Sequence, residues 1–461
     1  MNLPSLHQAA REIFDEALKS VDAGLAVRRA VHLNNSQLQI VHTAFNLEDR
    51  ASGIYAIAIG KAAHPMAEAL SEILGERLKA LVESGVWSLE SGVNSSTTAF
   101  DSRRAFDVTD SRLIFAGGHP LPDSESLRAA QAAFELLRRA EDEHALVIFL
   151  ISGGGSAMME WPRDSQTTLE ELQETNRLLI SCGAQIAEIN AVRRAISSVK
   201  GGGLAALAPS CDQVSLIISD TNPGEETTVA SGPTFDPPLN APDPLTVIAR
   251  YNLEARLPQS ILRAIGQSAR GKAPSVSLAM REHHVLLDNV SAIEAAAEAA
   301  RSRGIEVEVA RDIIEQPIAE GCSALLSRLL DLRSRTIEGR PVCLISGGEF
   351  ACPVRGPGLG GRNTESALRW AIELEALAKE ESITHHIVAL SAGTDGIDGN
   401  SSAAGAAADE TSVERARLRN LDAHRFLDES DAYTFFHALG DAIVTGPTGT
   451  NVRDLRVLLA S

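Results

Sequence analysis

Aromatic residues and cysteines are scarce in this chain of 461 residues. Trp, Tyr and Phe together account for 4% of it, and there are five cysteines. The cysteine count is odd and no Cys-x-x-Cys pair occurs, which argues against a disulfide framework and a zinc site. The cysteine usage therefore predicts a reduced, cytoplasmic protein.

Basic residues are also in short supply, since 42 Lys and Arg stand against 61 Asp and Glu, a net charge of −19. Such an acidic chain is not expected to bind nucleic acid or an acidic membrane surface, because both need a basic partner. No apolar signal segment is found near the N-terminus, and no uncharged stretch is long enough to span a membrane. An anionic ligand would need a local basic pocket, so single Lys and Arg residues in loops become candidates.

Two common nucleotide-binding fingerprints are missing as well. The sequence contains no Gly-x-x-x-x-Gly-Lys-Ser/Thr loop and no Gly-x-Gly-x-x-Gly directly after a predicted strand. A functional assignment must therefore rest on several weaker signals taken together.

What the chain does contain is six short apolar runs, each followed by a small polar loop with Gly or Asp. Such runs, separated by helical patterns, are typical of buried parallel strands joined by crossover helices. Ligands bind at the carboxyl ends of strands in such sheets, so the loops predict a site for a phosphorylated molecule. The runs are residues 55–59, 146–151, 214–218, 285–287, 342–345 and 387–390.

Helical spacing and prolines indicate how the chain is organised. Five prolines between residues 233 and 244 exclude a helix or a central strand there. They predict a boundary between an N-terminal α/β domain, residues 1–240, and a C-terminal α/β domain, residues 241–461. Residues 84–113 are polar and poorly periodic, which predicts short strands and loops. The predicted helices are a pair over residues 5–33 and single helices over 61–82, 125–139 and 168–187.

The loop after run 146–151 is rich in glycine and serine. Three glycines flanked by hydroxyls can form a concave set of amide donors for an anion, although a tight strand–helix turn would use the same residues. Lys61 follows Gly60 at another strand end, and a cation at a helix start opposes the helix dipole. It is either a functional lysine or a solvated one. The loop residues are Ser152, Gly153, Gly154, Gly155 and Ser156.

A second candidate for anion binding precedes another triple glycine. Arg193, Ser197 and Lys200 are spaced as i, i+4 and i+7, which would place them on one helical face. In so acidic a chain, this stripe predicts a surface that faces an anion. The alternative is a solvated helix face that ends in a glycine cap.

The densest glycine loop, residues 356–361, leads directly into Arg362. The planar guanidinium of arginine suits phosphate or carboxylate recognition. Glu349 and Asp395 follow neighbouring strands, and carboxylates near a phosphate site are the ligands that Mg²⁺ needs; N-capping is their alternative role. His119, in a rigid Gly-Gly-His-Pro-Leu-Pro loop, is expected to line the substrate pocket or to make a structural hydrogen bond.

These motifs, taken in order over residues 5–458, resemble the glycerate 2-kinase family. The second half resembles its MOFRL domain, over about residues 340–458. The motifs are Gly60-Lys61-Ala62-Ala63, Gly118-His119-Pro120-Leu121-Pro122-Asp123, Leu150-Ile-Ser152-Gly-Gly-Gly-Ser156-Ala157, Lys200-Gly-Gly-Gly203, Ala230-Ser231-Gly232-Pro233-Thr234, Ser346-Gly-Gly-Glu349, Gly360-Gly361-Arg362-Asn363, Thr394-Asp395-Gly396-Ile-Asp398-Gly399 and Thr445-Gly-Pro-Thr-Gly-Thr-Asn451-Val452.

The resemblance implies an ATP-dependent kinase that phosphorylates D-glycerate at its 2-hydroxyl and gives 2-phospho-D-glycerate, with Mg²⁺. It also implies two Rossmann-like α/β domains with mainly parallel sheets and a site in the cleft between them. Lys61 and Arg362 would be the central pair, and Asp220 and Asp395 would bind Mg²⁺ or take the hydroxyl proton. Metal ligands are expected among Asp220, Glu349 and Asp395. Substrate or phosphate would bind the residues 152–156 named above, His119, Arg193, Lys200, Gly360, Gly361 and Asn363.

The chain departs from the family at one place, where Asn222-Pro223-Gly224-Glu225-Glu226 replaces a Gly-Asp-Asp run. Metal-binding roles for Glu225 and Glu226 are therefore not carried over. Two other functions remain open: an NAD(P)-dependent hydroxypyruvate reductase, which the missing dinucleotide fingerprint disfavours, and a non-catalytic regulator that binds a phosphometabolite. The expected partners are the small molecules ATP and D-glycerate, with a homodimer left open.

Overall fold

The computed structural model describes residues 1–48, 53–85, 112–238, 240–269, 279–337, 339–379 and 385–461. They form two compact units. The N-terminal unit is Ala23–Leu286, and the C-terminal unit combines Met1–Asp22 with Leu287–Ser461. No described helix is both long enough and apolar enough to cross a membrane.

The helices of the described residues begin and end as follows. In chain order they are α1 (Leu3–Ser20), α2 (Ala23–Ala30), α3 (Ala63–Leu74), α4 (Ser124–Glu143), α5 (Gly155–Met158), α6 (Leu169–Ser181), α7 (Ile186–Ile196), α8 (Pro244–Arg250), α9 (Gln259–Ala269), α10 (Asn289–Ser302), α11 (Ile318–Arg335), α12 (Arg362–Lys379), α13 (Ser412–Arg417), α14 (Ala423–Asp428) and α15 (Ala432–Leu439).

The strands of the described residues form three sheets. In chain order they are β1 (Val31–Asn34), β2 (Gln37–Ile40), β3 (Thr43–Asn46), β4 (Ile54–Ile59), β5 (Leu78–Gly85), β6 (Arg112–Ala116), β7 (Leu146–Ser152), β8 (Asp212–Ile218), β9 (Arg281–Leu287), β10 (Glu306–Ala310), β11 (Val342–Gly348), β12 (Ile387–Gly393), β13 (Gly405–Asp409), β14 (Ala442–Ile443) and β15 (Asp454–Ala460). The six apolar runs lie in β4, β7, β8, β9, β11 and β12, so the strand predictions are confirmed.

The main sheet of the N-terminal unit has the order β6-β5-β4-β7-β8-β9. Its pairs β4–β5, β4–β7, β5–β6 and β7–β8 are all parallel. Every residue of β4 and β7 is buried, as expected for parallel strands covered on both faces. A small antiparallel sheet of β1, β2 and β3 belongs to the same unit. The carboxyl ends of β4, β7 and β8 therefore lie at one edge.

The sheet of the C-terminal unit is mixed, with the order β10-β11-β15-β12-β13-β14. Strands β10 and β11 are parallel, whereas β15 pairs antiparallel with both β11 and β12. The predicted α/β class is confirmed, and this sheet is less parallel than expected because the last strand inserts between β11 and β12. The amino end of β15 therefore reaches the edge where β11 and β12 end.

The compact units divide the chain differently from the predicted boundary at residue 240. That boundary falls inside the N-terminal unit, because the proline-rich stretch folds back on the triple glycine. The amides of Gly201 and Gly202 donate to the carbonyls of Ser231 and Gly232 at 3.1 and 2.8 Å. Helices α8 and α9 then share a hydrophobic cluster with α6 and α7, and β9 completes the sheet.

Two helix predictions are also corrected. The helix predicted over 61–82 ends at Leu74, because Gly75 turns the chain with φ +52°. The helix predicted over 168–187 is two helices, α6 and α7. The predicted N-terminal pair of helices is confirmed as α1 and α2, which belong to different units. Short strands and loops were predicted over 84–113, of which residues 86–111 lie outside the described residues.

Helix α1 supplies part of the core of the C-terminal unit. Its residues Leu6, Ile13 and Phe14 are fully buried in a cluster with residues of α10, β12 and β15. Near the start of the helix, the ring of His7 lies 2.7 Å from a carboxylate oxygen of Asp409 at the end of β13. The first residues of the chain therefore stabilise a sheet that begins almost 300 residues later.

The substitution Phe14→Ala should destabilise the C-terminal unit strongly. Removing a buried phenylalanine costs about 3–5 kcal/mol, which for a unit of this size lowers the melting temperature by roughly 6–20 °C. Differential scanning calorimetry measures the shift. Lys19→Ala, an exposed position on the same helix, should change the free energy of unfolding by less than about 0.5 kcal/mol. Equal shifts in the two variants would contradict this packing of α1.

Candidate active site

The loops after β4 and β7 contact each other at the carboxyl edge of the N-terminal sheet. The hydroxyl of Ser152 donates to the carbonyl of Ile59 at 3.1 Å and accepts from the amide of Ala62 at 3.0 Å. The amide of Lys61 donates to the carbonyl of Gly153 at 2.9 Å. The loop that carries Lys61 and the predicted glycine loop are thus joined by hydrogen bonds. The side chain of Ser152 makes two of these bonds, so its role here is structural.

Two glycines make this close approach sterically accessible. Gly154 has φ +80°, and a Cβ there would lie 3.2 Å from Cγ of Lys61 and 3.3 Å from Cδ2 of His119. Gly60 has φ +112°, and a Cβ there would lie 2.4 Å from the carbonyl oxygen of Ser152. Only glycine combines such a φ with such contacts. The structure therefore brings Lys61 and His119 to the same glycine, as their predicted roles require.

Ser156, the last residue of the loop, is held by a residue that the functional prediction did not include. Its hydroxyl lies 2.9 Å from that of Ser231, which in turn donates to Oδ1 of Asn190 at 3.2 Å. Ala230 and Ser231 have φ of +51° and +63°. Non-glycine residues in this region store backbone strain, which is concentrated at functional sites. The sequence motif at residues 230–234 could have pointed to Ser231.

The predicted anion-facing stripe of Arg193, Ser197 and Lys200 is wrong. Helix α7 ends before Ser197, whose φ of −110° and ψ of 143° are extended, so the three residues do not share a helical face. Lys200 is buried and ion-paired with buried Glu160, which also accepts from the hydroxyl of Ser197. Arg193 donates to Oδ1 of Asn176 at 2.8 Å. These cations are held by side chains of their own unit.

In the C-terminal unit, Arg362 stands at the first position of α12. Its Nε and Nη2 donate to the two carboxylate oxygens of Asp454 at 2.5 and 3.0 Å, and Nη2 also lies 2.9 Å from Oε1 of Glu349. Asp454 is fully buried, whereas the side chains of Arg362 and Glu349 are each 35% exposed. The planar fork is therefore fixed from the protein side by a two-oxygen partner.

The electrostatics of this pair favour ionisation of both partners. Burial alone would raise the pKa of the Asp454 carboxyl, but Arg362, together with Arg456 and Asn363, outweighs burial and the pKa is lowered. Burial alone would lower the pKa of Arg362, but Asp454 and Glu349 raise it. Arg362 is thus permanently charged, with an orientation set by Asp454.

The other predicted residues of this loop are structural neighbours of the pair. Asn363 is buried, and its Nδ2 donates to Asp454 at 2.9 Å while its Oδ1 accepts from the hydroxyl of Ser391 at 2.6 Å. A Cβ on Gly361 would lie 2.5 Å from a carboxylate oxygen of Asp398. Gly360 has φ +140°. Both ends of the Asn363 side chain are therefore used inside the protein, which corrects its predicted contact with substrate.

Asp398 caps the start of α12. Its carboxylate accepts from the amides of Asn363 and Thr364 at 2.9 and 2.8 Å and from the hydroxyl of Thr364 at 2.7 Å. Burial raises the pKa of Asp398 to about 6, although these hydrogen bonds oppose the rise. The cap fixes the backbone from which Arg362 projects.

The predicted metal ligands do not form a preassembled cluster. Across the described ranges, no group of three His, Cys, Asp or Glu side chains could hold a metal ion. Asp220 follows β8 in the N-terminal unit, and Asp395 follows β12 in the C-terminal unit, where its Oδ1 accepts from the amide of Ile397 at 3.1 Å. Glu349 faces Arg362.

Asp454 and Arg456 were not predicted from the sequence. The signal was available, because both are charged residues two positions apart in the apolar strand segment Asp-Leu-Arg-Val-Leu-Leu-Ala. Alternate residues of a strand point to the same face, so an Asp and an Arg there suggest a buried ion pair. The sequence does not show which strands lie beside this one. It therefore does not show which residue is the partner of Asp454.

The comparisons with known proteins cover nearly the whole chain. Residues 9–266 match the family described as Domain of unknown function (DUF4147), and residues 342–454 match the MOFRL family. A glycerate kinase from Rattus norvegicus is 34% identical, with 99% of this chain and 93% of the relative covered. A D-glycerate 2-kinase from Thermotoga maritima is 31% identical, with 98% and 97% covered.

A solved structure gives the same picture. The crystal structure of a Thermotoga maritima glycerate kinase matches with a TM-score of 0.78 and 30% identity, covering 99% of this chain and 100% of that chain. A relative from Agrobacterium vitis, 33% identical over 99% of this chain, bears the provisional name of a hydroxypyruvate reductase.

Replacing Asp454 by Asn should destabilise the C-terminal unit by about 3–5 kcal/mol at pH 7, because Arg362 loses its buried partner. The lowered pKa of Asp454 means that its stabilisation is present above about pH 4 and lost as the pH falls through the folded-state pKa. The difference between the parent and Asp454→Asn should therefore shrink below pH 4. Urea unfolding, followed by hydrogen exchange of β11 and β15, measures it.

Glu349→Gln is the matched control, because it removes the half-exposed partner of the same arginine. It should cost no more than about 1 kcal/mol at pH 7. If both variants lose the same stability, Asp454 is not the principal partner of Arg362.

Proposed function

Since the chain belongs to the glycerate kinase family, we propose that it transfers the γ-phosphoryl group of ATP to the 2-hydroxyl of D-glycerate, giving 2-phospho-D-glycerate and ADP. The observation that carries this proposal is the similarity to glycerate kinases over 98–99% of the chain. The site geometry supports it, because phosphoryl transfer depends mainly on positioning and on neutralising charge.

The N-terminal unit would contribute the phosphate-binding loop. The amides of Gly155 and Ser156, the first two of α5, have no acceptor within the helix, so they could donate to a phosphate oxygen. Lys61 lies next to this loop through its own backbone hydrogen bond to Gly153. We assign to Lys61 the neutralisation of charge on the transferred group, and to His119, beside Gly154, a place in the lining of the pocket.

The C-terminal unit would contribute Arg362. The guanidinium has one edge bound to Asp454, so its direction is set before substrate arrives. A preorganised donor needs no reorganisation when charge develops in the transition state. We assign to Arg362 the binding of the glycerate carboxylate or of the transferred phosphoryl group. Before substrate binds, its guanidinium contacts Glu349.

Asp220 and Asp395 would hold Mg²⁺ and accept the proton of the 2-hydroxyl on a carboxylate oxygen. Mg²⁺ in phosphoryl-transfer sites is bound by one or two carboxylates together with substrate phosphates, so single aspartates at strand ends fit this role without a three-residue cluster. When bound, the ion neutralises charge on the nucleotide phosphates. Either aspartate has the chemistry for either role, and we propose a cytoplasmic location for the enzyme.

One assay separates this proposal from its rivals. Purified protein is incubated with ATP, Mg²⁺ and D-glycerate, and the position of the phosphate is read by phosphorus NMR. A parallel sample contains NADH and hydroxypyruvate. Oxidation of NADH without formation of ADP would favour the reductase, and binding without either reaction would favour a regulator.

Lys61→Ala and Arg362→Ala should each lower turnover by about 10²–10³-fold, the usual loss when one donor to developing charge is removed. Arg362→Lys should regain only part of the activity, because an ammonium cannot reproduce the two-oxygen fork. Steady-state kinetics with a thermal melt of each variant provides the measurement. Lys79→Ala, in the same unit as Lys61, and Arg369→Ala, on the same helix as Arg362, serve as controls. Near-parental turnover in either test variant would remove that residue from the site.

Gly154→Ala should lower turnover. Gly183→Ala is the matched control, because the backbone cost of introducing alanine is similar at the two positions. Gly154 and Gly183 have φ of +80° and +82°, so alanine at either should cost about 1–2 kcal/mol. Only at Gly154 does the new methyl group meet Lys61 and His119, since the space around Gly183 is open. We therefore expect similar melting temperatures but at least a tenfold lower turnover for Gly154→Ala. Equal turnover would show that this contact does not matter for the reaction.

A further inference from the structure

Arg456 is a fully buried cation to which the proposed reaction assigns no role. It lies on β15, opposite Ser346 of β11 and Ser391 of β12, and its side chain is 1% exposed. Burying a guanidinium is costly unless its donors find partners. Its contacts therefore indicate what the chain gains from placing an arginine there.

The contacts of Arg456 converge on the turn that ends β11. Its Nη1 donates to the carbonyl of Gly347, and its Nη2 donates to the carbonyl of Gly348 at 3.3 Å. The guanidinium lies 3.5 Å from the centre of the Phe350 ring. Gly348 has φ +83°, and a Cβ there would lie 2.5 Å from the carbonyl oxygen of Ile314. Arg456 therefore holds the backbone just before Glu349 and packs against the ring of the residue just after it.

The same guanidinium faces the partner of Arg362. Nη2 of Arg456 lies 3.8 Å from a carboxylate oxygen of Asp454, the oxygen that also accepts from Nε of Arg362. Its own Nε has no hydrogen-bond partner within the described residues. A buried donor left unsatisfied is a cost, so this position is better explained by its effect on neighbouring groups than by local stability.

From these contacts we propose that Arg456 is a positioning residue for the phosphoryl-transfer site: it fixes the Gly347–Gly348 turn and Asp454, and through them the direction of Arg362. The chemistry at Arg362 rests on the proposed function, whereas the geometric link does not. Asn289 supports the same turn, because its Oδ1 accepts from the amide of Gly348 at 2.8 Å and its Nδ2 donates to the carbonyl of Asp454 at 3.0 Å.

Kinetics of Arg456→Met and Arg456→Lys test the proposal. Methionine fills similar space without donors, and kcat should fall about 10- to 100-fold while KM for ATP and for D-glycerate changes less than threefold, the pattern of a lost transition-state interaction. Lysine keeps the charge without the fork, so kcat should lie between those of the parent and Arg456→Met. A purely structural role would leave kcat per folded molecule unchanged in both variants and would overturn the proposal.

The decisive step is a double-mutant cycle with Arg362→Ala. If Arg456 acts through Arg362, then Arg456→Met should lower kcat by less than twofold in the Arg362→Ala background. An undiminished 10- to 100-fold loss there would overturn the proposal. Arg415→Met is the control, because Arg415 pairs with buried Asp409 and with Asp441 in the same unit; it should leave kcat unchanged.

A parent enzyme without kinase activity would refute the proposed function but not this link. The same cycle is then read from melting temperatures. The shift caused by Arg456→Met should differ by at least 2 °C between the parent and the Arg362→Ala background, since residues of one ion-pair network are energetically coupled. Equal shifts in the two backgrounds would overturn the geometric link itself.

Discussion

The buried carboxylate of Asp454 is the constraint on which the C-terminal half of the site depends. A charge without access to water must be surrounded by donors, and here they come from two elements: Arg362 and Asn363 at the start of α12, and Arg456 on β15 itself. Arg456 is two residues from Asp454 on the same strand, whereas the contacts from α12 depend on the place of β15. Its insertion between β11 and β12 brings Asp454 to the edge where both strands end, opposite Gly348 and Gly393.

The candidate residues of the N-terminal unit are positioned by different means. There the close approach of Lys61, Gly153 and His119 depends on backbone hydrogen bonds and on glycines with positive φ, rather than on buried ion pairs. Such a loop offers amide donors, which suit phosphate oxygens. An oriented guanidinium suits a planar carboxylate or a phosphoryl group. The candidate anion-binding groups therefore differ between the units, with main-chain amides in the N-terminal unit and a side chain in the C-terminal unit.

The sequence predicted those features that depend on local pattern. The buried strands β4, β7, β8, β11 and β12 were readable as apolar runs, and the glycine loops after them located Lys61 and Arg362. Features that depend on distant partners were not readable. The place of β15 follows from pairing with strands about 60 and 110 residues earlier in the chain, and the end of α7 before Ser197 interrupted a helical spacing that the sequence alone made plausible.

Lys200, whose predicted place on an anion-facing stripe is wrong, differs from the candidate Arg362 in one physical respect. Sequence spacing does not reveal this difference. Lys200 and its partner Glu160 are both buried, 2% and 3% exposed, so the lysine has no face left for a ligand. Arg362 is 35% exposed while its partner Asp454 has no exposure, so one edge of the guanidinium is fixed inside and the rest is directed outward. In an acidic chain most basic side chains meet carboxylates of their own unit, and an ion pair by itself therefore says little about function. The asymmetry of burial shows how Arg362 is oriented, but Arg415 and Asp409 have the same asymmetry, 36% and 3% exposed. Arg362 is therefore a candidate because this asymmetry occurs together with its place directly after the glycine loop.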